Sequence, residues 1–200
     1  MRIFLISLFL CFFAEGLIAQ VDTTTTNASP DTTIMDSSRV NPEMLSRGFT
    51  PGPRLDAYQL KNSKWYYSIN DAVRDPERVY KLSLSGQKYK DLPPGLDRFS
   101  NLQVLNLSNN KLKTIPADIS RLQNLEVLIL SKNKINRLPE EIKNMENLTT
   151  IYLSNNRLVE VPAWIGGLSK LRTLDLSLNN LTRYEIELVQ KRLPRCKITH

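Results

Sequence analysis

Val79, Leu102, Leu125, Leu148 and Leu171 open five stretches that repeat one pattern every 23 residues, with no insertion or deletion between them. A unit of that length cannot close a core alone. Neighbouring copies must stack and bury their apolar residues together, so a constant period of this size predicts a solenoid. In the copy that starts at Leu125, the step from Leu128 to Leu130 is the two-residue spacing of a strand. Further on, Leu138, Ile142 and Met145 fall four and three apart around Pro139, which suits a short helical turn opened by that proline. Each copy is thus expected to be a strand, a turn and a helical return.

Stacking the copies aligns Leu82, Leu105, Leu128, Ile151 and Leu174 in one column and Leu84, Leu107, Leu130, Leu153 and Leu176 in another. Both columns read as core. Just after each strand runs Asn110, Asn133, Asn156 and Asn179, with Gln87 in the first copy. An amide offers two donors and an acceptor where the turning backbone lacks strand partners, so this column is expected to be structural.

The copies LQVLNLSNNKLKTIPADISRLQN, LEVLILSKNKINRLPEEIKNMEN and LTTIYLSNNRLVEVPAWIGGLSK fit L-x-x-L-x-L-x-x-N-x-L. On those residues the chain resembles the leucine-rich repeat family, and particularly secreted bacterial members with repeats of this length. The resemblance implies an α/β leucine-rich repeat solenoid, with a parallel β-sheet on the concave face, short helical turns on the convex face and helical N- and C-terminal caps. Five repeats occupy 79–183 on this reading. Eukaryotic extracellular members often carry cysteine-bridged caps, which this chain lacks, and the resemblance leans toward a bacterial protein for that reason.

The flanks differ in character from the array. Residues 1–20 begin with Arg2, continue through an apolar run ending at Phe13 and finish in small residues, the pattern of a secretory signal peptide cut near Ala19 or Gln20. That run is too short for a bilayer span, which needs roughly 20 residues, although an uncleaved anchor is the competing reading. Removing it takes away Cys11 and leaves the formal charge of +7 unchanged, because Arg2 and Glu15 leave together. Cys196 then remains as a single thiol, expected to be buried and inert in a leucine's place.

Residues 21–56 hold TTTT and scattered Ser, Asp, Pro and Gly without periodicity, and are expected to be a disordered linker. Residues 57–78 are expected to form an N-terminal helical cap, with a helix started by Ser68 and Asp71, stopped by Pro76, and flanked by Trp65, Tyr66 and Tyr67. At the other end, Glu185 replaces the repeat's proline, and 184–200 read as a cap helix followed by a degenerate sixth strand through Leu193, Cys196 and Ile198.

Catalytic chemistry has little foothold in this chain. His200 is the sole histidine and the last residue, so a nucleophile would lack a positioned base, and no phosphate-cradling glycine motif occurs. Neither a metal nor a cofactor is expected. What varies between copies is the outward strand face, and variation at fixed positions predicts a non-enzymatic protein-binding surface. Its candidate residues are Lys81, Gln103, Val104, Asn106, Glu126, Val127, Ile129, Thr150, Tyr152, Arg172 and Asp175, with Val127, Ile129 and Tyr152 as a small exposed apolar spot. The competing surface is the basic column Lys88, Lys111, Lys134 and Arg157, which would suit an acidic glycan or lipid headgroup. Export disfavours nucleic acid and places the mature chain, without a transmembrane span, in the periplasm or outside the cell.

Overall fold

The computed structural model describes residues 53–200, so the expected leader at 1–20 and most of the expected linker at 21–56 lie outside the described residues. The chain enters through helix α1, Ala57–Asn62, whose N-cap Asp56 accepts from the Gln59 amide while the Gln59 side chain accepts from the Asp56 amide. Strand β1, Trp65–Tyr66, follows, then α2, Ile69–Ala72, capped by the Ser68 hydroxyl on the Asp71 amide. A 3-10 turn at Pro76–Arg78 leads into the repeats.

Five three-residue strands come next: β2 Lys81–Ser83, β3 Val104–Asn106, β4 Val127–Ile129, β5 Thr150–Tyr152 and β6 Thr173–Asp175. The returns between them are 3-10 turns, at Leu96–Arg98, Ala117–Arg121, Glu140–Asn144 and Ala163–Gly167. Pro116, Pro139 and Pro162 stand just before the last three in extended conformation. A return this short has room for i to i+3 bonds and little more, which is why the helical turns are 3-10. Helix α3, Arg183–Arg192, and strand β7, Lys197–Thr199, close the array.

All strands pair in parallel, in sequence order, in one sheet of seven. Six strands were expected. The extra one is β1, which lies only 16 residues before its partner, Trp65 opposite Lys81, and so escapes a search at the repeat period. The register of the last strand also differs from expectation: Ile198, not Cys196, stands opposite Leu174. Here the return is a full α-helix, which rises less per residue than a 3-10 turn and consumes more chain before the strand can start.

The leucine columns are fully buried, and Ile119, Ile142 and Ile165 with Phe99, Leu122, Met145 and Leu168 meet them from the convex side. Tyr66, Ile69 and Ala72 join this core at one end and Ile186, Val189 and Leu193 at the other. Helix α3 packs so close to the preceding return that a Cβ on Gly166 would lie 3.3 Å from the Arg192 carbonyl oxygen.

Each ladder asparagine ties its own turn to that of the repeat before. Asn133 Nδ2 donates to the carbonyls of Leu107, Leu130 and Ser131, and its Oδ1 accepts from the Leu112 amide at 3.1 Å. Asn110, Asn156 and Asn179 repeat the arrangement, whereas Gln87 is exposed. A second amide ladder went unread in the sequence: Asn124 and Asn147 each donate to a carbonyl of the repeat before, and Asn101 to the Glu77 carbonyl just ahead of the first repeat.

The residue before each ladder asparagine is held in the left-handed region: Asn109, Lys132, Asn155 and Leu178, with Gly86 in the first copy. Asparagine and glycine tolerate that geometry, but a leucine Cβ crowds the following carbonyl there. Leu178 is also 76% exposed, so its side chain gains little from packing. Leu178→Asn should therefore stabilise the protein by about 1 kcal/mol, read as a rise in the denaturant midpoint at constant m value.

Candidate functional site

Parallel in-register pairing lines up the outward side chains as two ladders. Lys81, Val104, Val127, Thr150 and Thr173 form one, and Ser83, Asn106, Ile129, Tyr152 and Asp175 the other. The apolar spot exists as a cluster, since Val127 pairs with Thr150 and Ile129 with Tyr152. It is not exposed, however. Ile129 is 2% exposed and Tyr152 5%, and Val104, Val127, Thr150 and Thr173 are buried as well. One cause is the register itself, which sets like positions about 4.8 Å apart and takes each side chain's flanks from water. None of Val104, Val127, Ile129 and Tyr152 belongs to the leucine core, so their burial is on the outer side of the sheet.

Three predicted binding residues are engaged by the protein's own N-terminal segment. Gln103, fully buried, accepts from the Leu55 amide at 2.8 Å and donates to the Leu55 carbonyl and to Glu126 Oε1. Glu126 also holds Arg54 in an ion pair at 3.3 Å. Lys81 Nζ donates to the Lys61 carbonyl at 3.1 Å and lies 5.2 Å from the centroid of the Trp65 ring, and burial pushes its pKa below the ordinary lysine value. Residues 54–56 are thus fixed against the repeats and the cap, so the expected linker ends before them. Two others bend back locally: Asn106 Oδ1 accepts from the Ser108 amide and Asp175 Oδ1 from the Ser177 amide. Arg172 alone of the predicted set is exposed.

Residues missed by the sequence reading extend the same face. Because β1 pairs in register with β2, Trp65 prolongs the Lys81 ladder, and Tyr67 follows it two residues on. Only the middle residue of that triplet, Tyr66, enters the core. Alternation over Trp65, Tyr66 and Tyr67 was the available signal, but nothing periodic said that this segment would join the sheet.

On the turn edge, Lys88, Lys111, Lys134 and Arg157 are all exposed. Backbone bonds hold them in line, from the Lys111 amide to Tyr89, Lys134 to Leu112 and Arg157 to Ile135. Cys196 is half buried against the core, and burial raises its thiol pKa to about 11 despite the opposing pull of Arg172. At neutral pH it is a protonated, weak nucleophile. Among the described residues no three His, Cys, Asp or Glu side chains gather in a metal-binding arrangement, and no helix is long and apolar enough to cross a membrane.

Comparison with known proteins places this geometry. The profile of a leucine-rich repeat region matches residues 78–191. The leucine-rich repeat protein LIC12759 of Leptospira interrogans is 35% identical over 68% of this chain, with a TM-score of 0.62. TLR13, solved in a complex with ssRNA13, is 26% identical over 67% of this chain, with a TM-score of 0.56. The chain spans 35% of the first structure and 20% of the second. No curated protein matches it.

Proposed function

Because this chain belongs to the leucine-rich repeat family, we propose that it is an exported, non-enzymatic protein-binding module whose partner seats on the outward strand face. The observation that carries the reading is the exposed Arg172 at the edge of the in-register outward ladders, whose apolar members Val104, Val127, Ile129 and Tyr152 lie outside the leucine core and are covered. Arginine is among the side chains enriched at interface hot spots, and Arg172 is exposed on this face. Seven strands about 4.8 Å apart span about 29 Å, and with strands of roughly 10 Å the face offers on the order of 300 Å², so a partner must also touch the adjoining loops to reach the roughly 800 Å² of a standard interface. The leader sequence supports export, to the periplasm or beyond it.

The test is capture of partners by the mature chain, starting near Val21, followed by binding measurements on variants. Tyr152→Ala and Arg172→Glu should each weaken the recovered partner by more than about 1 kcal/mol, roughly fivefold in Kd. A thermal melt beside each variant separates lost contact from lost fold, and Arg172 is the safer position because it is exposed. Normal binding by a folded Arg172→Glu and Tyr152→Ala pair would remove the strand face as the site.

The exposed basic column favours one second reading, a surface for polyanions such as an acidic glycan or an anionic lipid headgroup. Single-stranded RNA, named with TLR13, joins the probes for completeness. On this reading Lys111→Glu with Lys134→Glu abolishes binding and modest salt elutes the partner, whereas strand-face binding resists salt.

A further inference from the structure

We propose that the concavity at the first-strand end of the sheet binds a neutral sugar ring. Its volume is about 420 Å³, within the usual range for small-ligand sites, and Trp65, Tyr67, Lys64, Asp71, Arg74 and Asp75 line it around Tyr66. It lies three strands from the apolar ladder at β4 and β5, and its ligand class is different from that of the strand face.

Trp65 and Tyr67 flank Tyr66 on an extended segment, so they project to the same side, opposite the core. Their rings are near-parallel, 25° apart, with centroids separated by 6.4 Å. Capping of the first repeat is met by Tyr66, Ile69 and Ala72, and neither flanking ring is part of the core. Tyr67 is 56% exposed. The Tyr67 ring is therefore presented at the sheet's edge outside the core, beside the half-buried Trp65 ring that Lys81 approaches.

The rim decides the ligand's charge. Lys64 and Arg74 balance Asp71 and Asp75, so the concavity favours neither an anion nor a cation by net charge. Cations already occupy ring faces here: Lys64 Nζ is 4.6 Å from the Tyr66 centroid and Lys81 Nζ is 5.2 Å from that of Trp65. A cationic peptide or quaternary ammonium would meet like charge where its attraction should lie. The Arg74 to Asp71 contact is long, 3.8 Å, and both side chains are largely exposed, so their donors and acceptors can exchange toward a ligand. Apolar ring faces bordered by alternating donors and acceptors match a pyranose, with C–H groups on its faces and hydroxyls around its edge.

Cellotriose, chitotriose and maltotriose, titrated into the mature chain, provide the test. Saturation-transfer NMR on the unsubstituted protein should mark the ring protons of at least one of them. In a Trp164→Phe background, which leaves Trp65 as the only tryptophan, the same sugar should shift the emission saturably. Tyr67→Ala should weaken that response roughly fivefold or more while leaving the melting temperature within a few degrees, because the ring is mostly exposed. Asp71→Asn should weaken it too. No transfer to any of the three sugars at tens of millimolar, equal binding by Tyr67→Ala, or tighter binding of an arginine-rich or proline-rich peptide would each overturn the proposal.

Discussion

A chain cut before Tyr184 should aggregate or melt far below the full-length protein. The cut removes Ile186, Val189 and Leu193, all buried in the core, together with the last strand. Burying side chains of this kind contributes about 1.5–3 kcal/mol each, so roughly 5–9 kcal/mol disappears for the three of them. A whole domain is stable by only about 5–15 kcal/mol, so the loss is comparable to everything there is. Two further ties go with them: the Leu176 amide loses the Thr199 carbonyl, and the Val161 carbonyl loses the Arg192 guanidinium. Leu168, Leu171 and Leu174 then face water at an open end, and stacked repeats without a closing unit are prone to associate through such ends. Denaturant melts with light scattering provide the measurement. A monomeric truncated chain with an unchanged midpoint would refute the capping role of α3.

Asn133→Leu should cost about 2–4 kcal/mol, and the sharing of bonds within the ladder says where that cost falls. Leu107 O retains Asn110 and Leu130 O retains Asn156 when Asn133 is lost, so these carbonyls weaken but are not abandoned. Ser131 O retains the Asn109 amide. The Leu112 amide is different: its acceptor is Asn133 Oδ1, and Leu112 is completely buried. An orphaned buried donor accounts for about 1–3 kcal/mol, and the thinned carbonyls and the misfitting leucine supply the rest. Gln87→Leu is the matched control, at an exposed position outside the ladder, and should stay within about 0.5 kcal/mol. Equal destabilisation by the two substitutions would mean that the ladder bonds are not what the asparagines contribute.

The parallel strands, both leucine columns, the asparagine ladder and the positions of the returns were legible in the sequence, because each is set by a residue's place within its own repeat. The same reasoning named the outward ladders correctly as sets. It erred on their surroundings. Gln103 and Glu126 were read as partner-binding because they differ between copies, but in the structure they hold Leu55 and Arg54, nearly fifty and more than seventy residues earlier in the chain. Cys196 was assigned to a leucine's column because the pattern extrapolates smoothly, while the helix before it takes up chain at a different rate and moves Ile198 into that place.

Sequence alone determined the periodic part of this protein, since a pattern repeated at fixed spacing can bury its leucines in only one way, by in-register stacking. Tertiary structure decided everything that breaks the period. Whether Trp65 joins the sheet, which outward side chains are covered, and where the last strand starts all depend on contacts between segments whose separation no repeat prescribes. The repeats supply both the open strand edges and the bare ends of the core that the flanking segments must cover.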